Sequence, residues 1–491
     1  MLKFRIKYLM FILFALCSEK GEKKNEIYHP YLSRSAWPIV HKNPAQHAGT
    51  EFAGPEQNFE VEMFDHRGPG WILFDSQGNI IFGNVDVFSN KHEFKKFNNK
   101  MELVASASLS YKNLTGILGG IYSFIDHQDC IWTSTDATIH RLCERDSKFE
   151  EDMRFEINKI KPDLFSEDET ILSLMPLYRT SGMISIAFLT LGINYIREED
   201  ILKPQVTGAK LGIIKINNRE SVDLHSLKFE GEAIQNALAL DREDNIYVVT
   251  NRKAYKIKFR ESDGSFEIKW AYTYDSGEPP ENIRCEGNIS DFNCLLLNYL
   301  ERVRFFDGSG TTPTLMGDNE EYVGFADGSR PMKVIVLRTK DGTPVEIDQP
   351  IPFIYDQLSQ TENTFAYINK KFVIENNNPN EKGVACYQIK GEYGREKIEL
   401  IWVNRDVFAP NAVPLVSGSS ELAYFYEMLE SQKWFLTALD LNNGKIKFRL
   451  PIGNGLEFNS LYSPLNLNDK KEIYIPLFGK ILRIKEKSNK N

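Results

Sequence analysis

The residues best suited to chemistry in this sequence are asparagines and glutamates near the starts of apolar segments. The set comprises Asn236, Asn363, Asn411, Asn459, Glu232 and Glu362. Amide and carboxylate oxygens around a cavity are the ligands that a hard cation such as calcium prefers. If the segments converge in the fold, the set predicts a ligand or calcium site. The alternative is that each asparagine only caps a turn.

Motifs of the common catalytic classes are absent from the sequence. It contains no G-x-S-x-G, H-E-x-x-H, Walker A or C-x-x-C motif, and no complete D-x-D-x-D-G calcium loop. Two histidine pairs, His41 with His47 and His127 with His140, lack the third ligand that a zinc site needs. The sequence therefore names no reaction, and whether the protein is an enzyme stays open.

The elements that must position these residues are short β-strands in a repeated unit. An apolar strand, a turn rich in Asp, Asn or Gly, and a second apolar strand return at a spacing of roughly fifty residues. Copies of the unit begin at Phe74, Phe124, Ala239, Leu315 and Asn466. Such repetition along a whole chain predicts an all-β fold, a β-propeller.

The innermost strand of each blade, strand A, can be placed from the same pattern. It is predicted to begin near Trp71, Tyr122, Ile171, Ala237, Thr312, Thr364, Ala412 and Ser460. Eight starts favour eight blades, with seven as the alternative. The last unit offers only about three strands, so we expect a strand from the N-terminal side to complete it and close the ring. The four asparagines would then converge at one mouth of the central channel.

The segment from Trp434 to Gly455, WFLTALDLNNGKIKFRLPIGNG, resembles the quinoprotein-like, or PQQ-repeat, propeller family. The matching residues are Ala438, Leu439, Asp440 and Gly444, with Asp241 and Asn245–Tyr247 as a second, looser match. Phe448 stands where the family usually has a tryptophan. For a quinone-dependent dehydrogenase, the resemblance implies a cofactor pocket with adjacent cysteines or stacking aromatics, plus calcium-binding acids. The sequence has no adjacent cysteine pair.

The first residues of the chain predict export. Lys3, Arg5 and Lys7 precede an apolar run, Tyr8 to Leu16, which is shorter than the ~20 residues of a membrane-spanning helix. Cys17 follows directly, as in a bacterial lipoprotein signal, although the residue before it is larger than usual. We expect lipidation of Cys17 and attachment to the cell envelope. Ordinary secretion and an uncleaved anchor are the alternatives.

The chain divides into four predicted parts. Residues 1–17 are the signal peptide, 18–36 a hydrophilic tether, 37–70 an extended arm packing on the propeller, and 71–487 the propeller itself. Prolines in the arm oppose a regular helix, and Trp37 is its expected anchor.

Export makes disulfides permissible, and the cysteine spacing suggests two. Cys130 and Cys143 lie symmetrically about a turn, so they would be cross-strand neighbours in a hairpin. Cys285 and Cys294 enclose a short polar loop that a disulfide could staple. Cys386 is expected to be a buried, small hydrophobic residue. Spacing alone leaves open whether either bridge forms.

Composition limits the classes of partner. The net charge of -9 and a pI near 5.6 argue against a nucleic-acid surface, which needs clustered Lys and Arg. A hydrophobic content of 42% supplies enough apolar surface for a packed core. The expected partner is therefore a protein or a small-molecule ligand, and contact with the membrane is expected through a lipid anchor only.

Three functions remain compatible with the sequence. The first is a lipid-anchored propeller that serves as a binding scaffold. The second is a propeller hydrolase, similar to a lactonase, with calcium at the central channel. The third, a PQQ-dependent dehydrogenase, follows from the family resemblance alone.

Overall fold

The computed structural model describes residues 28–65, 68, 70–86, 89–219, 221–278, 283–285, 307–353, 364–377, 381–430 and 432–487. The chain falls into two compact units, Met1–Pro30 and Tyr31–Asn491, and the second contains the fold described below. It is nearly all β, with 51% of residues in strands and 3% in helices. Among the described residues, no helix is long and apolar enough to span a membrane. The predicted signal peptide and Cys17 lie outside the described residues.

The strands of the described residues, in chain order, are β1 (Gly49–Thr50), β2 (Phe59–Asp65), β3 (Gly70–Phe74), β4 (Ile80–Asp86), β5 (Lys91–Phe97), β6 (Leu103–Ser110), β7 (Phe124–Ile125), β8 (Ile131–Thr135), β9 (Thr138–Arg145), β10 (Lys148–Glu156), β11 (Ile171–Pro176), β12 (Ile184–Thr190), β13 (Ile193–Glu198), β14 (Ile201–Val206), β15 (Lys210–Ile216), β16 (Val222–Lys228), β17 (Ala239–Leu240), β18 (Asn245–Val249), β19 (Lys253–Arg260), β20 (Ser265–Thr273), β21 (Ile283–Arg284), β22 (Thr314–Met316), β23 (Tyr322–Ala326), β24 (Val334–Arg338), β25 (Glu346–Ile347), β26 (Ala366–Ile368), β27 (Lys371–Glu375), β28 (Val384–Lys390), β29 (Lys397–Asn404), β30 (Leu415–Ser417), β31 (Leu422–Leu429), β32 (Lys433–Asp440), β33 (Ile446–Asn454), β34 (Asn466–Leu467), β35 (Ile473–Pro476) and β36 (Lys480–Glu486). The helices are short: an α-helix at Ile157–Ile160 and 3₁₀ turns at Leu114–Leu118 and Leu456–Phe458.

In the described part of the chain these strands form eight blades in a ring, so the predicted propeller and its eight-blade count are confirmed. Blade 1 is β3–β6, blade 2 is β7–β10, and blade 3 is β11, β12, β15 and β16. Blades 4 to 7 are β17–β20, β22–β24, β26–β29 and β30–β33. Blade 8 is β34–β36 with β2 as its outer strand.

The ring closes through the N-terminal strand, as the sequence predicted. Strand β2 pairs antiparallel with β36, with Phe59 opposite Glu486 and Asp65 opposite Lys480. One sheet is thus built from both ends of the propeller sequence. This pairing removes the exposed edge that an open ring would present.

Two features of the blades were not predicted. The hairpin β13–β14 is inserted between the second and third strands of blade 3. Blade 5 has three strands, and beyond β24 the chain makes irregular bonds, such as Val345 N–H to the Val336 carbonyl at 2.8 Å. The segment then pairs with blade 6 through β25. Both features depart from the local strand pattern, because pairing between segments distant in sequence decides where these strands lie.

The antiparallel order of the strands gives the propeller two different ends. The turns between strands A and B and between C and D lie at one end, called here the turn face. The other end, called the loop face, carries the B–C turns and the connections between blades. The described parts of the connections are residues 111–123, 157–170, 229–238, 274–278, 283–285, 307–313, 348–353, 364–365, 405–414 and 455–465.

Side-chain oxygens shape the A–B turns of the turn face. In four blades the first turn residue accepts backbone N–H groups from the residues two and four positions later, at 2.8–3.1 Å. These residues are Asp75, Asp126, Asp241 and Asn468. This bonding pattern is the physical basis of the repeated strand–turn–strand unit in the sequence.

The motif that resembles the PQQ-repeat family lies in a C–D turn and is structural. Gly444 sits against the ring of Trp402 from the preceding blade, and an added Cβ would lie 2.6 Å from that ring. The Trp402 Nε1–H donates to the Leu441 carbonyl at 3.0 Å. Trp270 makes the equivalent bond to the Thr339 carbonyl at 3.0 Å. The motif therefore docks one blade on the next.

Candidate functional site

The central channel holds part of the chain itself. Residues 31–57, called here the axial arm, enter at the turn face, where Leu32 forms a bridge with Asp126. They leave at the same face, where the Tyr424 hydroxyl donates to the Pro55 carbonyl at 3.2 Å. Trp37, the predicted anchor, is fully buried. The sequence indicated an arm on the propeller but not that it runs inside the channel.

Strand A of six blades donates a backbone N–H to a carbonyl of the axial arm. The bonds run from Phe74 to Trp37 (3.0 Å), Ile125 to Pro38 (2.8 Å), Leu240 to Pro44 (2.9 Å), Leu315 to Ala45 (2.9 Å), Tyr367 to His47 (2.7 Å) and Val416 to Ala48 (3.3 Å). Strand β1 of the arm also pairs in parallel with β30. The arm thus satisfies inward-facing amides of six blades and closes the channel at the turn face.

The arm folds back on itself within the channel. The Ala48 N–H donates to the His41 carbonyl at 3.2 Å, so residues 41–48 form a closed loop around Pro44. The His41 ring packs against Tyr122, with 5.7 Å between ring centroids. Burial lowers the pKa of His41 to about 3, so the ring is neutral at neutral pH.

The predicted asparagines do not form one hydrogen-bonded set. Asn411 Nδ2 donates to Asn459 Oδ1 at 2.7 Å, which joins neighbouring blades at the loop face. Asn236 Oδ1 instead accepts from the Tyr122 hydroxyl at 2.8 Å. Asn459 Oδ1 also accepts the Leu461 N–H at 2.8 Å, which is a turn-capping role. Asn363 lies outside the described residues.

Of the two predicted glutamates, the structure describes Glu232. Glu232 Oε1 accepts from the Tyr255 hydroxyl at 2.8 Å, and its Oε2 accepts from Thr250 at 2.5 Å. Lys253 Nζ lies 3.9 Å from the same carboxylate. These contacts tie Glu232 to blade 4 rather than to the channel. Glu362 lies outside the described residues.

Neither a calcium site nor a quinone pocket is shown among the described residues. Over the described ranges, no group of three or more His, Cys, Asp or Glu side chains could hold a metal ion. Asn236, Asn411, Asn459 and Glu232 each direct oxygens to protein donors instead. The adjacent cysteines that the family resemblance implies are missing from the sequence. No chemical step is therefore assigned to either group.

A hydroxyl–imidazole–carboxylate chain in blade 2 was missed by sequence reasoning. Thr135 Oγ1 lies 2.8 Å from His140 Nε2, and His140 Nδ1 lies 2.5 Å from Glu151 Oε1. The hydrogen bond from His140 lowers the pKa of Glu151. This order matches a nucleophile–base relay. Thr135 is only 4% exposed, however, whereas the Glu151 side chain is 34% exposed.

The exposures of Thr135 and Glu151 decide the role of this hydroxyl–imidazole–carboxylate chain. A nucleophile must meet its substrate, and here the hydroxyl is the buried member. The three residues come from β8, β9 and β10, so their hydrogen bonds stabilise the blade. No local sequence signal identifies them, because the strands meet only in the folded sheet.

The cysteines occupy three different environments. Cys130 and Cys143 are joined by a disulfide across β8 and β9, with their Cα atoms 4.5 Å apart. Cys285 is also disulfide-bonded, and Cys294 lies outside the described residues. Cys386 is a buried free thiol, and burial raises its pKa to about 12. Such a thiol has no thiolate character at neutral pH.

Comparisons with known proteins support the fold and leave the family open. No family model matches the chain. An uncharacterized protein of Archaeoglobus fulgidus is 25% identical over 291 residues, which are 52% of this chain and 52% of that protein. The match spans about half the length of that relative.

One solved structure shows the likeness of the fold, and a second matches more weakly. A europium-containing methanol dehydrogenase superposes with a TM-score of 0.56 and 11% identity, over 92% of this chain and 98% of that chain. The Saccharomyces cerevisiae Sqt1 structure matches at a TM-score of 0.47 and 9% identity, over 94% of this chain and 98% of that chain. At these identities the likeness concerns the propeller fold and not its activity.

Proposed function

We propose that this protein is an exported β-propeller that acts as a binding scaffold and uses the loop face as its binding surface. One observation carries the proposal: the chain's own axial arm closes the channel at the turn face. The described members of the predicted oxygen set, Asn236, Asn411, Asn459 and Glu232, are bonded within the protein. Binding is then left to the end where the connections are longest.

Exposed apolar side chains on the loop face support this assignment. Leu164, Ile196 and Leu456 are 41%, 45% and 49% exposed. Leu164 and Leu456 lie on two connections between blades, and Ile196 lies in the inserted hairpin β13–β14. A protein partner that covers these side chains would gain the free energy of burying their apolar surface. The overall negative charge of -9 favours a partner that is not nucleic acid.

Two features support export and a lipid anchor. The disulfide between Cys130 and Cys143 is the kind of cross-link that persists in oxidising compartments. The N-terminal sequence places Cys17 directly after a short apolar run. Incorporation of radiolabelled palmitate tests the anchor. We expect label in the wild type and none in Cys17→Ser, and equal label in both would contradict lipidation at this residue.

The scaffold is tested by cross-linking in the native cell envelope. We expect the wild type to give a defined cross-linked complex that falls at least tenfold in the triple variant Leu164→Glu, Ile196→Glu, Leu456→Glu. The matched control is Leu103→Glu with Ile268→Glu, two exposed residues on outer strands. A complex that persists in the triple variant, or the absence of any complex in the wild type, would contradict the proposal.

A second measurement separates the scaffold from a calcium enzyme. We expect the melting temperature to be the same in calcium and in chelator, because the described members of the oxygen set are bonded within the protein. A calcium-dependent rise in melting temperature would favour the metal-dependent alternative and contradict this one.

A further inference from the structure

A cluster of buried polar side chains lies in the channel above the folded loop of the arm. This axial polar cluster comprises His41, Gln46, Tyr122, Ser173 and Asn236, each at most 8% exposed. Its members come from the arm and from blades 2, 3 and 4 or the connections leading into them. Contacts with Tyr122 link His41, Ser173 and Asn236 directly, and Gln46 joins them through Leu238.

The contacts within the cluster are short. The Tyr122 hydroxyl donates to Asn236 Oδ1 at 2.8 Å, and the His41 ring packs on Tyr122. Tyr122 and Ser173 form a parallel bridge between neighbouring strands. Gln46 Nε2 donates to the Leu238 carbonyl, two residues beyond Asn236, at 2.7 Å. The cluster is therefore a single constellation of neighbours in the channel.

Several polar atoms of the cluster have no hydrogen-bond partner among the described residues. They are His41 Nδ1, His41 Nε2, Gln46 Oε1, Ser173 Oγ and Asn236 Nδ2. Folded proteins rarely leave buried polar atoms unsatisfied, and a concentration of them needs an explanation. Five such atoms on four neighbouring side chains indicate that a polar molecule is held between them.

The chemistry of the cluster points to an uncharged molecule. None of its side chains carries a charge at neutral pH, because burial keeps His41 in the neutral form. The nearest carboxylate along the chain, Glu232, is bonded to Thr250 and Tyr255. A buried ion without a counter-charge would be strongly disfavoured.

The unsatisfied atoms are a mixture of donors and acceptors. The neutral imidazole offers one of each, the Asn236 amide nitrogen donates, Gln46 Oε1 accepts, and the Ser173 hydroxyl does both. Hydroxyl groups match such a set, because each can donate and accept.

We propose that the axial polar cluster binds a small uncharged polyhydroxy molecule, of the class of monosaccharides and cyclic polyols. The molecule enters from the loop face, because the axial arm closes the other end. This inference rests on the proposed role in binding and deepens it by naming a ligand class. A partner protein on the loop face would then cover the occupied channel or recognise the bound molecule.

The probes are D-glucose, D-galactose and myo-inositol, with D-glucuronate and D-glucosamine as charged counterparts. Binding to the full chain is measured by isothermal titration and by thermal shift. We expect at least one neutral probe to bind and to raise the melting temperature, with affinity at least tenfold above the charged counterparts. If no neutral probe binds, or if a charged counterpart binds equally well, the cluster holds only ordered water and the proposal is wrong.

Two variants locate the binding. Ser173→Ala removes one hydroxyl with little change in volume, and Asn236→Leu removes the amide; each should weaken the neutral probe at least tenfold. The control is Asn411→Ala, whose amide bonds to Asn459 outside the cluster. Unchanged affinity in Ser173→Ala would overturn the assignment even if Asn236→Leu fails to fold.

The outcome is distinguishable from that of the scaffold proposal. Cross-linking depends on Leu164, Ile196 and Leu456, none of which belongs to the axial polar cluster. A lost cross-link with intact probe binding would implicate the surface alone. Lack of probe binding with an intact cross-link would remove the ligand and leave the scaffold.

Discussion

The turn face and the loop face are two ends of the same eight blades, and they are built on opposite principles. At the turn face, side-chain oxygens such as those of Asp75 and Asp126 bond to their own turns, and the axial arm bonds to the strands behind them. At the loop face, long connections and the hairpin β13–β14 carry exposed Leu164, Ile196 and Leu456. One end is closed by internal bonding, and the other presents surface to solvent.

The difference shows where this fold can vary without losing stability. Substitutions at the turn face and in the arm disrupt bonds that several blades share. Substitutions at the tips of loop-face connections meet mostly solvent. The contrast predicts that substitutions in the arm and in buried turns cost more stability than substitutions at exposed positions of either end, and the following substitutions test it.

The largest effect is expected for Gly49→Val in the arm. An added Cβ at Gly49 would lie 2.1 Å from the Tyr367 carbonyl oxygen and 2.8 Å from Val416 Cγ2. Neither group can yield without moving strand A of its blade, so we expect a loss of more than about 4 kcal/mol in the free energy of unfolding, or failure to fold. Urea denaturation measures it.

Gly394→Ala is the matched control, because an added Cβ there meets nothing within 4 Å. Its φ of 88° makes alanine unfavourable by only about 1 kcal/mol. Equal losses in the two variants would show that the arm does not hold the blades together.

The next effect is expected for Asp126→Ala at the turn face. Its Oδ1 accepts the N–H groups of Gln128 and Cys130, and its Oδ2 accepts from Trp132 Nε1 and Arg141 Nε at 2.9 and 2.8 Å. Removing the carboxylate leaves a buried guanidinium with one counter-charge fewer. We expect a loss of about 3 kcal/mol, measured by urea denaturation.

The control for this variant is Asp263→Ala, in an exposed turn where the carboxylate bonds only to Ser265. It should lose much less stability than Asp126→Ala does, since local turn bonds at the surface contribute little. A comparable loss in both variants would mean that burial of Asp126 adds nothing to its role.

Acid should destabilise the folded chain in part through the arm, because His41 is buried in the neutral form. Its folded pKa of about 3 lies below the unfolded value of 6.5, so the unfolded chain binds more protons between those values. Stability is complete above pH 6.5 and falls as the pH drops below it. At pH 5 the expected loss from His41 is about 2 kcal/mol.

Denaturation at pH 5 and pH 7 in wild type and His41→Gln measures this contribution. Between pH 7 and pH 5, the free energy of unfolding of the variant should fall by about 2 kcal/mol less than that of the wild type. An unchanged difference in His41→Gln would show that the ring is not buried neutral.

The fold could be predicted because its signals are local. The Asp turns form within five residues, so Asp75, Asp126 and Asp241 mark strand boundaries without knowledge of the rest of the chain. The hairpin β13–β14 was not predicted, because its two strands have the same composition as the blade strands on either side of it. Its place is decided by pairing with β21, which no local pattern shows.

The candidate site could be predicted only in part, because its members meet across the channel. Asn236 stood out from its place before strand A, but its partner Tyr122 lies 114 residues earlier. Ser173 and Gln46 carry no local signal, since nothing nearby in the sequence marks them as facing the axis. The path of the arm through the channel, rather than the composition of the sequence, decides which polar groups meet.

The smallest effect is expected at the tip of a loop-face connection. Leu456→Glu should change the free energy of unfolding by less than about 0.5 kcal/mol, because its side chain is 49% exposed. Tyr393→Glu, at a 46% exposed position in a turn-face turn, should be similarly mild. The two variants therefore match in stability, which urea denaturation checks.

They should differ in binding, because only Leu456 lies on the proposed surface. We expect Leu456→Glu to weaken the cross-linked complex and Tyr393→Glu to leave it unchanged. If Tyr393→Glu abolishes the complex and Leu456→Glu does not, the binding surface lies at the turn face. The arm would then have to be read as part of a docking surface rather than as the closure of the channel.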